Sequence, residues 1–238
     1  MTEPVGAPAI RAILFDKDGT FTDFRATWEP WMPGALRDLA RESGADARVI
    51  SEAVGIDPDT GSLRPDGAFV TGTDAKTAAI LSPITGWSEE AVIAWWSPRV
   101  NAVPQAVVTP VEPLLAGLRE RGLILGVLTN ADEAGARHHL AAMGALPHLH
   151  RVIGYDSGFG PKPEPRGAAS FADELGLDRE AVVLVGDGMT DMLAARDAGL
   201  RAVAVTTGTL DRAALTPHAE AVLDDVSQLP DWLDRLVS

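Results

Sequence analysis

The chain has 238 residues, enough to bury one large core or two modest ones, and its 46% hydrophobic and 23% charged content is ordinary for a globular protein. A formal charge of −14 argues against nucleic acid as a partner, which needs clustered Lys and Arg, and no apolar stretch approaches the roughly 20 residues of a membrane span. Zero cysteines exclude disulfides and thiolate metal sites and fit a reducing cytoplasm, and MTEPVGAPAIRA lacks the basic leader and apolar segment of a secretory signal.

The first element lies in Ile10–Asp23, IRAILFDKDGTFTD. A short apolar run, Ile13-Leu14-Phe15, ends in two aspartates and the turn residue Gly19, which suits a buried strand of a parallel sheet. Residues two apart on a strand face the same side, so Asp16 and Asp18 would project together from the carboxyl edge of that sheet, where open α/β sheets bind ligands. Two carboxylates held together need a cation between them or a proton on one. Mg²⁺, which takes oxygen ligands and substrate phosphate, meets that need. A plain polar turn is the competing reading of this stretch taken alone.

From Trp28 to Ser43 the apolar residues Trp28, Trp31, Met32, Ala35, Leu36 and Leu39 form a helical stripe stopped by Gly44, with a start near Met32 or Pro33. Further helices are predicted at Ala47–Val54, Asp74–Ile80 and Ser88–Trp96, with Ser88 as N-cap and the Pro/Asp/Gly-rich loop Asp57–Gly67 between the first two. No strand pattern interrupts residues 21–104, which read as an all-helical insert.

Thr109-Pro110-Val111-Glu112 then combines a capping box with proline at the first helical position, opening a helix that Gly122 closes. Strands are predicted at Leu123–Leu128, Val152–Tyr155, Ala181–Val185 and Ala202–Val205. Helices alternate with them at Ala134–Met143, Gly167–Leu175 and about 190–198, and the tail Ala221–Val237 reads as a short strand and an amphipathic helix. Such alternation implies right-handed βαβ units around a parallel sheet. The expected architecture is an α/β, Rossmann-like core from residues 1–20 and 105–238, flanked by helices and carrying residues 21–104 as an inserted helical cap.

Three predicted strands end in polar residues: Asp16 and Asp18, then Thr129-Asn130, then Asp187 with Asp191; Lys162 follows a fourth. With Asp16-Lys17-Asp18-Gly19-Thr20, Leu128-Thr129-Asn130, Gly160-Pro161-Lys162-Pro163 and Gly186-Asp187-Gly188-Met189-Thr190-Asp191 in this order, the chain resembles the haloacid-dehalogenase-superfamily phosphohydrolases. The likeness is to the branch with a helical cap that includes phosphoglycolate phosphatases. The resemblance implies that Asp16 is a nucleophile forming an aspartyl-phosphate and that Asp18 is the general acid and base. It implies that Asp16, Asp187 and the Asp18 main-chain carbonyl hold Mg²⁺, with Asp191 assisting or orienting Lys162. Lys162, Thr129 and loop N–H groups, including that of Asn130, would bind the phosphoryl oxygens. Asp18 separates the chain from dehalogenase-type relatives, which lack an aspartate there, and from P-type ATPases, which carry threonine. Phe21 and Phe24 depart from the aliphatic and small hydroxyl residues common at those positions.

The implied substrate is a small phosphorylated metabolite, phosphoglycolate first, handled by a cytoplasmic monomer or homodimer. Sugar-phosphate phosphatase, nucleotidase, phosphonate hydrolase, phosphosugar mutase and an inactive metabolite-binding regulator are the alternatives. A phosphonate hydrolase would need a cap lysine, for which Lys76 is the lone candidate. The cap cations Arg25, Lys76 and Arg99 could hold a substrate carboxylate but read more simply as surface charges. Trp28, Trp31, Trp87, Trp95 and Trp96 read as core fillers of the cap, and His148 and His150 as loop histidines.

Overall fold

The computed structural model describes residues 9–236. The leader expectation rests mostly on residues outside that range, and Val237 at the end of the predicted tail helix lies outside it too.

Six strands form one sheet: β1 (Ala12–Phe15), β2 (Ile124–Leu128), β3 (Arg151–Ile153), β4 (Val182–Gly186), β5 (Arg201–Val205) and β6 (Ala221–Leu223). All pairings are parallel, in the order β3-β2-β1-β4-β5-β6. Every residue of β1 is buried: Ile13 and Phe15 join the apolar cluster on one face, Ala12 and Leu14 that on the other. Burial on both faces explains why the strand is continuously apolar rather than alternating. The strand order reverses at β1, with β2 and β3 to one side and β4 to β6 to the other, and such a switch point opens a crevice at the carboxyl ends. Phe15 is in register with Val127 and Val185, so the segments after β1, β2 and β4 emerge side by side at that edge.

Between β1 and the second strand run α1 (Phe24–Trp28), α2 (Met32–Ser43), α3 (Ala47–Val54), α4 (Ala68–Thr71), α5 (Asp74–Thr85) and α6 (Glu89–Asn101). They bury their own apolar cluster, in which Trp28, Met32, Leu39, Ile50, Leu81 and Trp96 meet. Helices α7 (Val111–Glu120), α8 (Glu133–Ala142), α9 (Arg166–Leu175), α10 (Met189–Ala198), α11 (Arg212–Leu215) and α12 (Leu229–Leu236) accompany the sheet. The fold is an α/β, Rossmann-like parallel sheet flanked by helices with a helical insert, as expected. No helix among the described residues is long and apolar enough to cross a membrane.

Local differences have identifiable causes. The predicted capping box at Thr109 does not form: Pro110 is the N-cap of α7, its carbonyl accepts from the Leu114 N–H at 3.4 Å, and no side chain caps the helix. Thr109 therefore stands one residue too early to reach the orphan N–H groups. Helices α5 and α6 run past Ile80 and Trp96, through Pro83 and Pro98. A proline in a closing turn removes only a late donor, and in α5 left-handed Gly86 ends the helix by donating to the Ser82 carbonyl at 2.9 Å. The four-residue helices α4 and α11 are too short to leave a periodic signal.

Candidate active site

Asp16 leaves the end of β1, and its Oδ1 accepts from the Lys162 ammonium at 2.7 Å. The same nitrogen donates to Asp191 Oδ1 at 2.6 Å. Asp191 sits in the first turn of α10, where its Oδ2 accepts from the Gly188 N–H at 3.0 Å, an acidic side chain serving an orphan donor of a helix start. Asp187 leaves β4. Carboxylate oxygens of Asp16, Asp187 and Asp191 lie within 4.8 Å of one another, and all three residues are buried. The Asp18 carboxylate is not part of that trio; the metal role expected of Asp18 concerned its main-chain carbonyl.

Glycines make this approach possible. A Cβ on Gly208 would stand 1.8 Å from Asp187 Oδ2, one on Gly19 2.4 Å from Asp187 Cγ, and one on Gly186 2.3 Å from Asp191 Cγ. Gly19 also adopts φ 78°, a left-handed turn that carries the chain back past Asp187.

Packing three carboxylates out of water disturbs their ionisation. Burial pushes Asp16 up to about 7, with the Lys162 charge opposing and Asp191 and Asp18 adding to the rise. Burial likewise holds Asp187 well above the usual carboxylate range, reinforced by Asp16 and Asp191. For Lys162 burial works against the charged form, but Asp16 and Asp191 outweigh it and the ammonium is held above its ordinary range. One lysine against three such groups leaves a surplus of buried carboxylates, which ionise together only beside a further cation. A hard divalent cation with oxygen ligands fits this donor set.

The Lys162 loop is clamped by Asn130, whose Oδ1 accepts from the Lys162 N–H at 2.7 Å while its Nδ2 donates to the Lys162 carbonyl at 3.1 Å. The Asn130 amide also donates to the Thr71 carbonyl of the helical insert at 3.3 Å. Contact between Asn130 and a substrate is therefore left to its main chain. Thr129 is buried and its Oγ1 accepts from the Ala131 N–H at 3.2 Å, which leaves the hydroxyl hydrogen to donate.

Asp18 is held from behind. The buried Lys17 ammonium donates to Asp18 Oδ1 at 2.7 Å and stands 3.3 Å from His139 Nδ1, while His139 Nε2 lies 3.1 Å from the Asn101 carbonyl. A carbonyl can only accept, so Nε2 carries the proton and Nδ1 takes the hydrogen bond from Lys17. Burial, then the Lys17 charge, push His139 below its ordinary value, which fits a neutral ring. Lys17 lay within the Asp16–Thr20 motif without a role assigned to it, and His139 lay in no motif; a lysine between two aspartates was the available signal.

Asp16, Asp18, Thr129, Asn130, Lys162, Asp187 and Asp191 all line one cavity of about 350 Å³. Its opposite wall belongs to the helical insert, with Phe24, Trp28, Phe69, Val70, Asp66 and Asp74. Burial raises Asp74 to about 6, and Asp132 and Asp18 add to the rise. Trp31, Trp87, Trp95 and Trp96 pack in or against the insert's core as expected, whereas Trp28 does so and faces the cavity too. Of the two departures from the family pattern, Phe21 packs on Phe15 at 5.0 Å in the core and Phe24 lines the cavity. The insert cations read as surface charges do stand outside the lining: Arg25 pairs with Glu29 at 2.6 Å, Arg99 lies over the Trp95 ring at 4.0 Å, and Lys76 is exposed. His150 pairs with Glu174 at 3.1 Å, and His148 belongs to no metal-competent group among the described residues.

Known proteins resemble this chain in sequence and in fold. Residues 10–199 match the family model of haloacid dehalogenase-like hydrolases. The phosphoglycolate phosphatase of Rhodospirillum rubrum is 30% identical over 94% of this chain and 90% of its own length. The N-acetylmuramic acid 6-phosphate phosphatase of Pseudomonas aeruginosa is 26% identical over 95% of this chain and 96% of its own. Among solved structures, CbbY from Rhodobacter sphaeroides in complex with phosphate superposes with a TM-score of 0.72 at 20% identity, covering 92% of this chain and 96% of that one. With a family model matched over residues 10–199 and a relative 30% identical over nearly the whole chain, this chain belongs to the haloacid dehalogenase-like hydrolases.

Proposed function

We propose that the protein is a Mg²⁺-dependent phosphomonoesterase that works through an aspartyl-phosphate on Asp16. The observation that carries this reading is the surplus of buried carboxylates beside one lysine at a sheet switch point. Asp16 and Asp187, with the Asp18 carbonyl and Asp191 nearby, would hold the metal. When bound, the cation supplies charge neutralisation for both the trio and an incoming phosphate dianion.

The chain's own groups divide the remaining work. Asp16 attacks phosphorus, and the bond from phosphorus to the ester oxygen breaks as Asp18 gives its proton to the departing alkoxide. Asp18 then takes a proton from water, the water oxygen attacks phosphorus, and phosphate leaves as the Asp16 carboxylate is restored. Lys162 and the Thr129 hydroxyl supply fixed positive charge and a donor for the phosphoryl oxygens, aided by the Asn130 N–H. Asp191 orients Lys162 through their 2.6 Å contact. Residues 21–104 act as a cap over residues 1–20 and 105–238, excluding water and contacting the rest of the substrate.

The names of the relatives make phosphoglycolate the first ester to test. The phosphonate-hydrolase alternative is weakened because Lys76, the lone lysine in residues 21–104, lies outside the cavity. All the named groups come from one chain, so a monomer suffices and a homodimer is compatible. The cysteine-free sequence suits a cytoplasmic location.

Phosphate release from a panel of phosphomonoesters, with and without Mg²⁺, tests the reading. Turnover should require the metal, and Asp16→Asn should lower kcat by about 10⁴-fold or more, as removal of a covalent nucleophile does. Full activity in that variant, or no turnover of any ester, sinks the proposal.

A further inference from the structure

The cap wall carries information about the part of the substrate that is not phosphate, and this inference rests on the phosphomonoesterase reading. Among the described residues lining the cavity the cations are Lys17 and Lys162 alone, against seven aspartates. Lys162 is committed to Asp16 and Asp191, and Lys17 to Asp18. His139 spends both ring nitrogens within the protein, one on Lys17 and the other on the Asn101 carbonyl. None of the insert's cations lines the cavity: Arg25 is held by Glu29 and the Leu63 carbonyl, Arg99 by Trp95 and Glu42, and the others lie outside the lining.

A metal and Lys162 would answer the phosphoryl group at the floor. What then faces the alcohol portion is aromatic surface and further carboxylate. Phe69 meets Phe24 and Trp28 edge to face at 6.2 and 5.4 Å, a cluster whose cavity side can accept an apolar or planar group. Asp74 opens α5 at the same wall and Asp66 stands at its exposed rim, while Asp132 is occupied in capping α8 through the Gly135 N–H at 2.8 Å. A carboxylate delivered there would meet like charge with no cation to receive it, and like charges are costly in a partly desolvated pocket. An amine would gain from both the rings and the carboxylates. The volume of about 350 Å³ falls within the range of roughly 300–1,000 Å³ that holds ligands much larger than a two-carbon acid.

We infer that the substrate is a phosphomonoester whose alcohol carries no carboxylate and is bulky, partly apolar, and neutral or amine-bearing. Phosphoglycolate and phosphoglycerates are then poor substrates, although relatives are named for such chemistry.

The experiment compares kcat/KM of the Mg²⁺-loaded enzyme on three matched sets: carboxylate-bearing esters including phosphoglycolate, neutral sugar and aryl esters, and aminoalkyl esters. At least one non-acidic set should exceed phosphoglycolate by about tenfold or more, and which of the two leads separates the neutral from the amine-bearing source. Calorimetry on Asp16→Asn gives a second readout that needs no turnover: phosphoglycolate should bind no more tightly than inorganic phosphate, and the favoured ester more tightly. Asp66→Lys, a charge reversal at an exposed rim position, should narrow the gap, raising the ratio of kcat/KM for phosphoglycolate to that for neutral esters by about threefold or more. If phosphoglycolate is the fastest ester in the wild type, or binds Asp16→Asn more tightly than every non-acidic ester, the inference is overturned while the phosphomonoesterase reading stands. If no ester is turned over yet the binding order holds, the pocket preference survives and the catalytic reading fails.

Discussion

The floor and the wall of this cavity are built by opposite means. The floor consists of single residues placed where parallel strands end, buried and charged, with main chain pressed so close that three glycines tolerate no Cβ. The wall consists of helices with a core of their own, offering rings and rim carboxylates. Backbone register fixes the floor to fractions of an ångström, and electrostatic stabilisation needs that fixity because its donors must be aimed before the reaction begins. Helix faces can exchange side chains without moving a strand. Chemistry and selectivity are therefore separable here, and the variants below test that separation.

The largest effect is expected where the floor is tightest. Gly208 follows β5 and its absent Cβ would overlap the Asp187 carboxylate. Gly208→Ala must push Asp187 aside or shift the loop, and disturbing groups that support metal ligands typically lowers metal affinity or activity by about 10–100-fold. The expected result is a Mg²⁺ half-saturation raised by about 10–100-fold, with kcat/KM lowered alike for every ester. A Mg²⁺ titration of phosphate release measures it; a variant with unaltered metal dependence would show that Asp187 has room to spare.

This contrast also explains what the sequence disclosed. The run Ile13–Phe15 suited a strand buried on both faces, and Asp16, Thr129 and Asp187 after strand ends, with Lys162 in the loop after another strand, do line one cleft. Strand ends are legible because parallel pairing brings their carboxyl termini to one edge whatever lies between. The helices of the insert were legible as helices, yet which face of Phe24, Trp28 or Phe69 would look into the cleft depends on how the insert packs, and no local pattern records that. Arg25 and Arg99, read as surface charges rather than as substrate ligands, find partners within the insert. The Asn130 clamp on the Lys162 loop was hidden because its partners lie 32 residues away. Lys17 was overlooked since nothing local announces a contact with His139, 122 residues on.

That hidden contact marks where floor and wall touch, and a smaller effect is expected there. Lys17 fixes one oxygen of Asp18 and is itself fixed through His139 to the carbonyl of Asn101, the last residue of α6. Lys17→Met removes the clamp that, on the proposed mechanism, aims Asp18 at the leaving oxygen. General-acid help is worth about 10²–10⁴-fold in full, and loosening it should lower kcat on alkyl esters by roughly tenfold. A 4-nitrophenyl ester, whose leaving group departs without protonation, should lose about threefold or less. Equal losses on both esters would assign Lys17 to packing alone.

The smallest effect concerns the wall and is read in stability. Asp74 sits at the first position of α5, and burial, then Asp132 and Asp18, raise it to about 6 from an ordinary 3.8. Below about pH 4 the group is protonated in both folded and unfolded chains and contributes nothing to the pH dependence. As pH rises further the unfolded chain ionises first, so stability is lost until pH passes about 6 and is then flat. Asp74→Asn abolishes that loss, at most about 3 kcal/mol at 1.36 kcal/mol per pH unit. It forfeits the attraction of a carboxylate for the helix N-terminus, about 0.3–1 kcal/mol. The variant should therefore melt several degrees higher than wild type at about pH 7.5 and at the same temperature at about pH 4. Thermal melts of metal-free protein at both values decide it: a gain of equal size at each pH would mean that packing, not a buried charge, sets the stability of this wall.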